Sequence, residues 1–166
     1  MLKVVVERSS TLAQPADEVW AEVTTPSGIN RELRPWLRMT VPRRIRRLSL
    51  QHVELGVLVC RSWVLLLGLI PFEYDDLVLV ERGPGLRFLE RSSTFATGMW
   101  QHERVVEPSA SGCTLTDRVS FALRRPLARL PGLAASYGRV VRAIFAHRHR
   151  RLEARFGAGA TPPSPT

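Results

Sequence analysis

The chain has 166 residues, 45% hydrophobic and 23% charged, which is enough for one core of ordinary size and is the composition of a globular protein rather than a disordered or multi-span membrane one. Its formal charge of +9 is almost all arginine, Lys3 being the sole lysine, and concentrates in 43–47 and from Arg139 to Arg155. Such patches attract nucleic acid or an anionic membrane surface, but they also read as a solvated loop and a solvated helix face.

In chain order, Leu2 to Leu12 is rich in Val and Thr, lacks Gly and Pro, and reads as a strand. Pro15 then stands at a helix first turn, with Asp17 and Glu18 at the positive end of the dipole and Val19, Trp20 and Val23 as an apolar stripe. This short helix ends before Pro26. A second is predicted from Ser27 as N-cap, through Ile29 and Leu33, to Trp36 or Leu37, with Pro35 disturbing its last turn.

From Pro42 to Leu123 the helical period gives way to short β-rich runs. Strands are expected near Arg44 to Leu50, Val57 to Leu65, Phe72 to Glu81, Leu86 to Ser93, Gly98 to Glu107 and Cys113 to Leu123. Turn signals at Arg82-Gly83-Pro84-Gly85 and at Glu107 to Gly112 are too short for anything but antiparallel neighbours. The apolar stretch Trp63 to Phe72 is broken by Gly68 and Pro71 and is about half the ~20 residues of a spanning helix. Within it, Leu65 to Pro71 reads as a gate to the pocket, as core packing, as a strand continuation, or as a dimer or membrane contact.

After Pro131-Gly132 the helical period returns, with Leu133, Tyr137, Val141, Ile144, Phe145, Leu152 and Phe156 on one face and Arg139, Arg142, Arg150 and Glu153 on the other. A helix of about 25 residues, roughly 37 Å, spans a whole sheet. Gly157 is a natural stop, and Ala158 to Thr166, with Pro-Pro-Ser-Pro, reads as a disordered tail after a single domain over 1–157. Cys60 and Cys113 match no metal or redox spacing and suit a reducing compartment as core thiols. With no charged segment leading into an apolar stretch at the start, this argues for a cytoplasmic rather than a secreted protein.

This order of elements, an α+β arrangement of about six or seven antiparallel strands around a long C-terminal helix with two short helices after strand 1, resembles the helix-grip fold of the START and birch-pollen-allergen-like superfamily, often called SRPBCC. Pro15-Ala-Asp-Glu-Val-Trp20 looks like its first-helix motif. Arg61-Ser62-Trp63, Asp75-Asp76-Leu77, Trp100-Gln-His-Glu-Arg104, Thr116-Asp117-Arg118 and Phe145 to Leu152 are similar to segments of small bacterial polyketide cyclase/dehydrase-type members. The resemblance covers Leu2 to Phe156 and implies a fold and a cavity, not a reaction.

Strand and helix alternation offers Trp63, Leu65, Tyr74, Phe88, Trp100, Leu115, Val119 and Phe121 from the sheet, and Tyr137, Val141, Ile144 and Phe145 from the helix, as cavity lining. Singly each suits a dry core; as a set in this architecture they outline a ligand pocket. Tyr74 shares phase with Asp76, Phe88 with Glu90 and Ser92, Trp100 with His102 and Arg104, and Leu115 with Asp117. Buried charges must pair, so Arg104 is expected against Asp117, Asp76 or Glu90. The group reads either as an ion-pair network fixing strand register or as a polar end of the cavity, His102 with Asp117 or Glu90 being the candidate proton-transfer set.

His147 and His149, two apart on a helix, diverge and cannot share a metal, and no cofactor motif is present. The leading expectation is a binding protein or carrier for a hydrophobic or amphipathic small molecule, such as a lipid, polyketide, isoprenoid or aromatic metabolite, acting as monomer or homodimer. A polyketide cyclase, aromatase or dehydratase is the alternative. The third is a basic module on an anionic membrane or, less favoured, nucleic acid.

Overall fold

The computed structural model describes residues 3–46 and 49–159. Strand β1 (Val4–Leu12) leads into helices α1 (Ala16–Val23) and α2 (Pro26–Leu33) and a short edge strand β2 (Leu37–Met39). Strands β3 (Leu58–Leu66), β4 (Ile70–Arg82), β5 (Leu86–Thr94), β6 (Thr97–Ser109) and β7 (Gly112–Leu123) follow, then one turn of helix α3 (Arg125–Ala128) and the long α4 (Leu133–Phe156). The seven strands form one antiparallel sheet in the order β1-β7-β6-β5-β4-β3-β2, an α+β helix-grip architecture in which the curled sheet holds α4. Twenty-four residues at about 1.5 Å each carry α4 roughly 36 Å across it.

Two expectations need correction. The strand expected over 44–50 is absent in its described part, where single 3-10 turns stand at Arg43–Ile45 and Leu50–His52; residues 47 and 48, Arg47 of the basic cluster among them, lie outside the described residues. A strand requires a free edge, and the edge of β3 is already taken by β2, Leu37 opposite Leu66. The second helix is capped by Thr25 rather than Ser27, the Thr25 hydroxyl accepting from Gly28 N–H at 3.0 Å with Pro26 in the first turn. It ends at Leu33, because Pro35 forces Arg34 into extended backbone (φ −64°, ψ 151°).

The expected tail is engaged at its start. Ala158 bridges Leu12, and Gly159 N–H donates to Thr11 C=O at 2.9 Å. Residues 160–166 lie outside the described residues.

The apolar core lies in two clusters. One joins α1, the sheet and the end of α4 through Leu12, Val19, Trp20, Leu79, Leu115 and Leu152. The other joins β1, β7 and mid-α4 through Val6, Val119, Phe121, Val141 and Phe145. Close approach fixes α2: a Cβ on Gly28 would sit 2.0 Å from Glu22 O, so only glycine lets the α1–α2 corner close. That corner aims Glu32 at the interior, where it is 3% exposed.

Candidate functional site

Between the concave face of the sheet, α2 and α4 lies a cavity of about 190 Å³. Val23, Ile29, Leu33 and Leu37 form its floor, and Phe72 and Val140, both more than half exposed or nearly so, stand where it opens. Beside that opening the β3–β4 turn leaves Leu67, Leu69 and Ile70 exposed, Leu69 at 81%, with Trp36 adjoining through a bond from Leu67 N–H to Trp36 C=O.

One wall is polar, and register builds it. Three inward-facing rungs cross the sheet: Phe88, Arg104 and Asp117; Glu90, His102 and Val119; Ser92, Trp100 and Phe121. Because side chains alternate along a strand, each polar residue is two positions from an apolar one on the same face. Arg104, fully buried, donates to Asp117 through Nε (2.7 Å) and Nη2 (2.8 Å), and forks onto both Glu32 oxygens at 2.9 Å. Arg148 from α4 joins Glu32 through Nε at 2.9 Å, its guanidinium 4.8 Å from the Phe145 ring. His102 lies between Asp117 (Nε2 to Oδ1, 2.7 Å) and Glu90 (Nδ1 to Oε2, 3.7 Å), its ring edge-on to Phe88 and Phe145. His149 sits behind, Nε2 3.1 Å from Asp117 Oδ2 and Nδ1 2.9 Å from Ser10 Oγ.

Burial alone would raise the Asp117 carboxyl, but Arg104 and His102 override it and hold it well below the usual range. Glu32 is lowered against the same penalty by Arg104 and Arg148, and Glu90 by His102, Ser92 and Asp75. Burial works against the charged form of His102 too, yet its bond to Asp117, with Glu90, raises it. The carboxylates of Glu32 and Asp117 thus meet the guanidinium groups of Arg104 and Arg148, and His102 lies between Asp117 and Glu90, as buried charge requires. Asp75 differs: burial first, and then the neighbouring Glu90 charge, push its carboxyl well above its ordinary range. Tyr137 is pushed up by burial to about 12 and stays a phenol.

Of the residues expected in the lining, Phe88, Trp100, His102 and Arg104 lie there from the sheet, and Tyr137, Val141, Ile144 and Phe145 from α4. Leu115, Val119 and Phe121 face inward but are fully buried core beneath it. Trp63 and Leu65 are corrections. Strand β3 turns Cys60, Ser62 and Val64 inward, so Arg61 and Trp63 face outward, Trp63 at 48% exposure. Leu65, past a register shift after Val64, is half-buried outside the lining. Tyr74 borders the cavity, but its ring packs edge-on to Trp63 and under Arg61, which pairs with Asp76 on the same outer face. Asp75, not Asp76, is the inward acid.

Sequence reasoning missed Asp75, Glu32, Arg148 and His149. Signals existed: Asp75 shares the parity of Leu77 and Leu79, and Arg148 continues the apolar series Val141, Phe145, Leu152.

The family model described as "Domain of unknown function (DUF8410)" matches residues 10–156, and the chain belongs to that family. No curated protein matches the sequence. Among solved structures, the Zhui aromatase/cyclase from Streptomyces sp. R1128 is similar at TM-score 0.68 and 14% identity, covering 93% of both chains. Protein CV1439 from Chromobacterium violaceum is similar at 0.65 and 14%, covering 92% of this chain and 97% of its own. A START superfamily protein from Mycobacterium smegmatis is similar at 0.62 and 10%, covering 92% and 96%. At these identities the likeness establishes the fold, the SRPBCC-type helix grip. Among the described residues no helix is long and apolar enough to cross a membrane.

Proposed function

We propose that this member of the DUF8410 family binds a hydrophobic or amphipathic small molecule in the cavity between sheet and α4. The observation that carries the reading is an apolar cavity of about 190 Å³ closed on one side by a wall of paired ionic groups. A dry apolar cavity of about 150 Å³ holds a benzene ring, so this one suits a one- or two-ring body, or the end of a longer chain. Among lipids, polyketides, isoprenoids and aromatic metabolites, the size favours a compact ring or a terminal segment. Cys60 and Cys113 as buried thiols suit a cytoplasmic setting. Native mass spectrometry of the purified protein, with solvent extraction, is the test. A stoichiometric hydrophobic adduct lost on denaturation is the expected result, and a bare chain that also refuses a panel of ring compounds contradicts it.

A second reading, a cyclase, aromatase or dehydratase, is favoured by one observation: Asp75, its carboxyl raised by burial and by Glu90, lines the cavity as a candidate proton source. His102 suits that role less well, because carboxylates stand against both its ring nitrogens. Asp75→Asn separates the readings, since a catalyst loses turnover while a carrier keeps its affinity.

The exposed β3–β4 tip beside the opening gives an apolar ligand a route in. With Arg34 and Arg38 exposed nearby, we assign this tip to transient contact with an anionic bilayer.

A further inference from the structure

The polar wall is not fully satisfied. Among the described residues, Asp75 Oδ1 is a buried side-chain oxygen with no hydrogen-bond partner, and Asp75 lines the cavity. An unpaired buried acceptor costs about 1–3 kcal/mol, so it marks a place where a partner is missing rather than a feature of stable packing. Asp75 stands beside Glu90 and Ser92 on that wall. Ser92 donates to Glu90 Oε1 at 2.7 Å, so the three side chains form one small cluster. Asp75 Oδ1, buried on the cavity wall without a partner, is thus an open acceptor.

We propose that Asp75 Oδ1 anchors the ligand and that the cavity takes a neutral hydroxylated one- or two-ring compound whose O–H donates to that oxygen. The inference rests on the binding reading above and names the chemical class for it. Neutrality follows from the geometry of the wall: Arg104 and Arg148 are already paired with Glu32 and Asp117, and His102 lies between Asp117 and Glu90, so a charged group on the ligand would meet no ionic partner without one of its own. An ether or a ketone offers only acceptors and would leave two acceptors facing one another. The remaining lining, from Phe88, Val141, Ile144 and Phe145, accepts the ring body without further polar demands.

The probes are 2-naphthol and 2-methoxynaphthalene, of nearly the same shape, one with an O–H and one without. By fluorescence titration the wild-type protein should bind 2-naphthol about tenfold or more tightly than the ether, the difference of one buried hydrogen bond. Asp75→Leu should bring the ratio near one by lowering naphthol affinity alone. If that variant fails to fold, Asp75→Asn, which keeps Oδ1, should preserve the preference. Equal affinity of the wild type for the two probes, or a preference that survives in folded Asp75→Leu, overturns the inference while leaving the cavity reading standing. Refusal of both probes contradicts the cavity reading and this inference together.

Discussion

Arg104 and Glu32, 72 positions apart, meet in a two-pronged bond, both guanidinium Nη atoms 2.9 Å from the two carboxylate oxygens. Helix α2 is thereby tied to strand β6 across the interior, with Asp117 of β7 on the remaining edge of the same guanidinium. Removing one partner of a buried ionic group strands the others without solvent, at about 3–5 kcal/mol. Arg104→Met is expected to lose that much in urea denaturation; a loss under about 1 kcal/mol would mean the network is not coupled to folding.

The pH dependence follows from the same wall. Asp75, raised well above its ordinary 3.8, and His102, raised from 6.5, both bind protons more tightly when folded. Their stabilisation is complete below those ordinary values and is lost as pH rises through the folded ones. Asp117 and Glu32, lowered from 3.8 and 4.5, have the opposite sign, and their contribution disappears as pH falls below those values. Stability should therefore decline as pH rises above the ordinary values of these two groups, 3.8 for Asp75 and 6.5 for His102. Asn at position 75 keeps a donor toward Glu90 with no proton to lose, so Asp75→Asn should flatten that decline and raise Tm at about pH 8 by about 3 °C. An unchanged slope in thermal melts would contradict this assignment of the proton.

Gly28 sets the α1–α2 corner that delivers Glu32. Gly28→Ala places a methyl group against the Glu22 carbonyl and should cost about 1–3 kcal/mol by denaturant titration. A neutral effect would show that α2 can move without losing the Glu32 bond.

The β3–β4 tip predicts a surface effect separate from stability. Sedimentation with vesicles containing phosphatidylglycerol should be strong for the wild type, weaken with added salt, and vanish for Leu69→Glu at unchanged Tm. Equal sedimentation of the two proteins would remove the tip from the account.

Much of this fold can be read from local signals. Two-residue alternation in β5, β6 and β7 put Glu90, His102, Arg104 and Asp117 on one face, and their joint position depends only on parity within long, regular strands. Parity failed in β3 and β4, where a one-residue slip exchanged Asp75 for Asp76 and turned Trp63 and Tyr74 outward. Adjacent aromatic residues and acids give no local cue to phase there; only Leu77 and Leu79 further along do. Glu32 and Arg148 were hidden for another reason. Each is a charge set within an apolar helical stripe, acceptable only because the opposite charge arrives from a distant element, and amphipathic reading assigns charges to solvent by default.

A paired titration distinguishes a binding site from a packing gap. Ile144 borders the cavity, and Ile144→Trp fills it without touching the ionic wall. Saturable one-to-one binding of 2-naphthol is expected for the wild type, with loss of that binding in a folded Ile144→Trp protein whose Tm is unchanged or higher. Indistinguishable titrations for the two proteins, or no binding by the wild type, would contradict the binding reading.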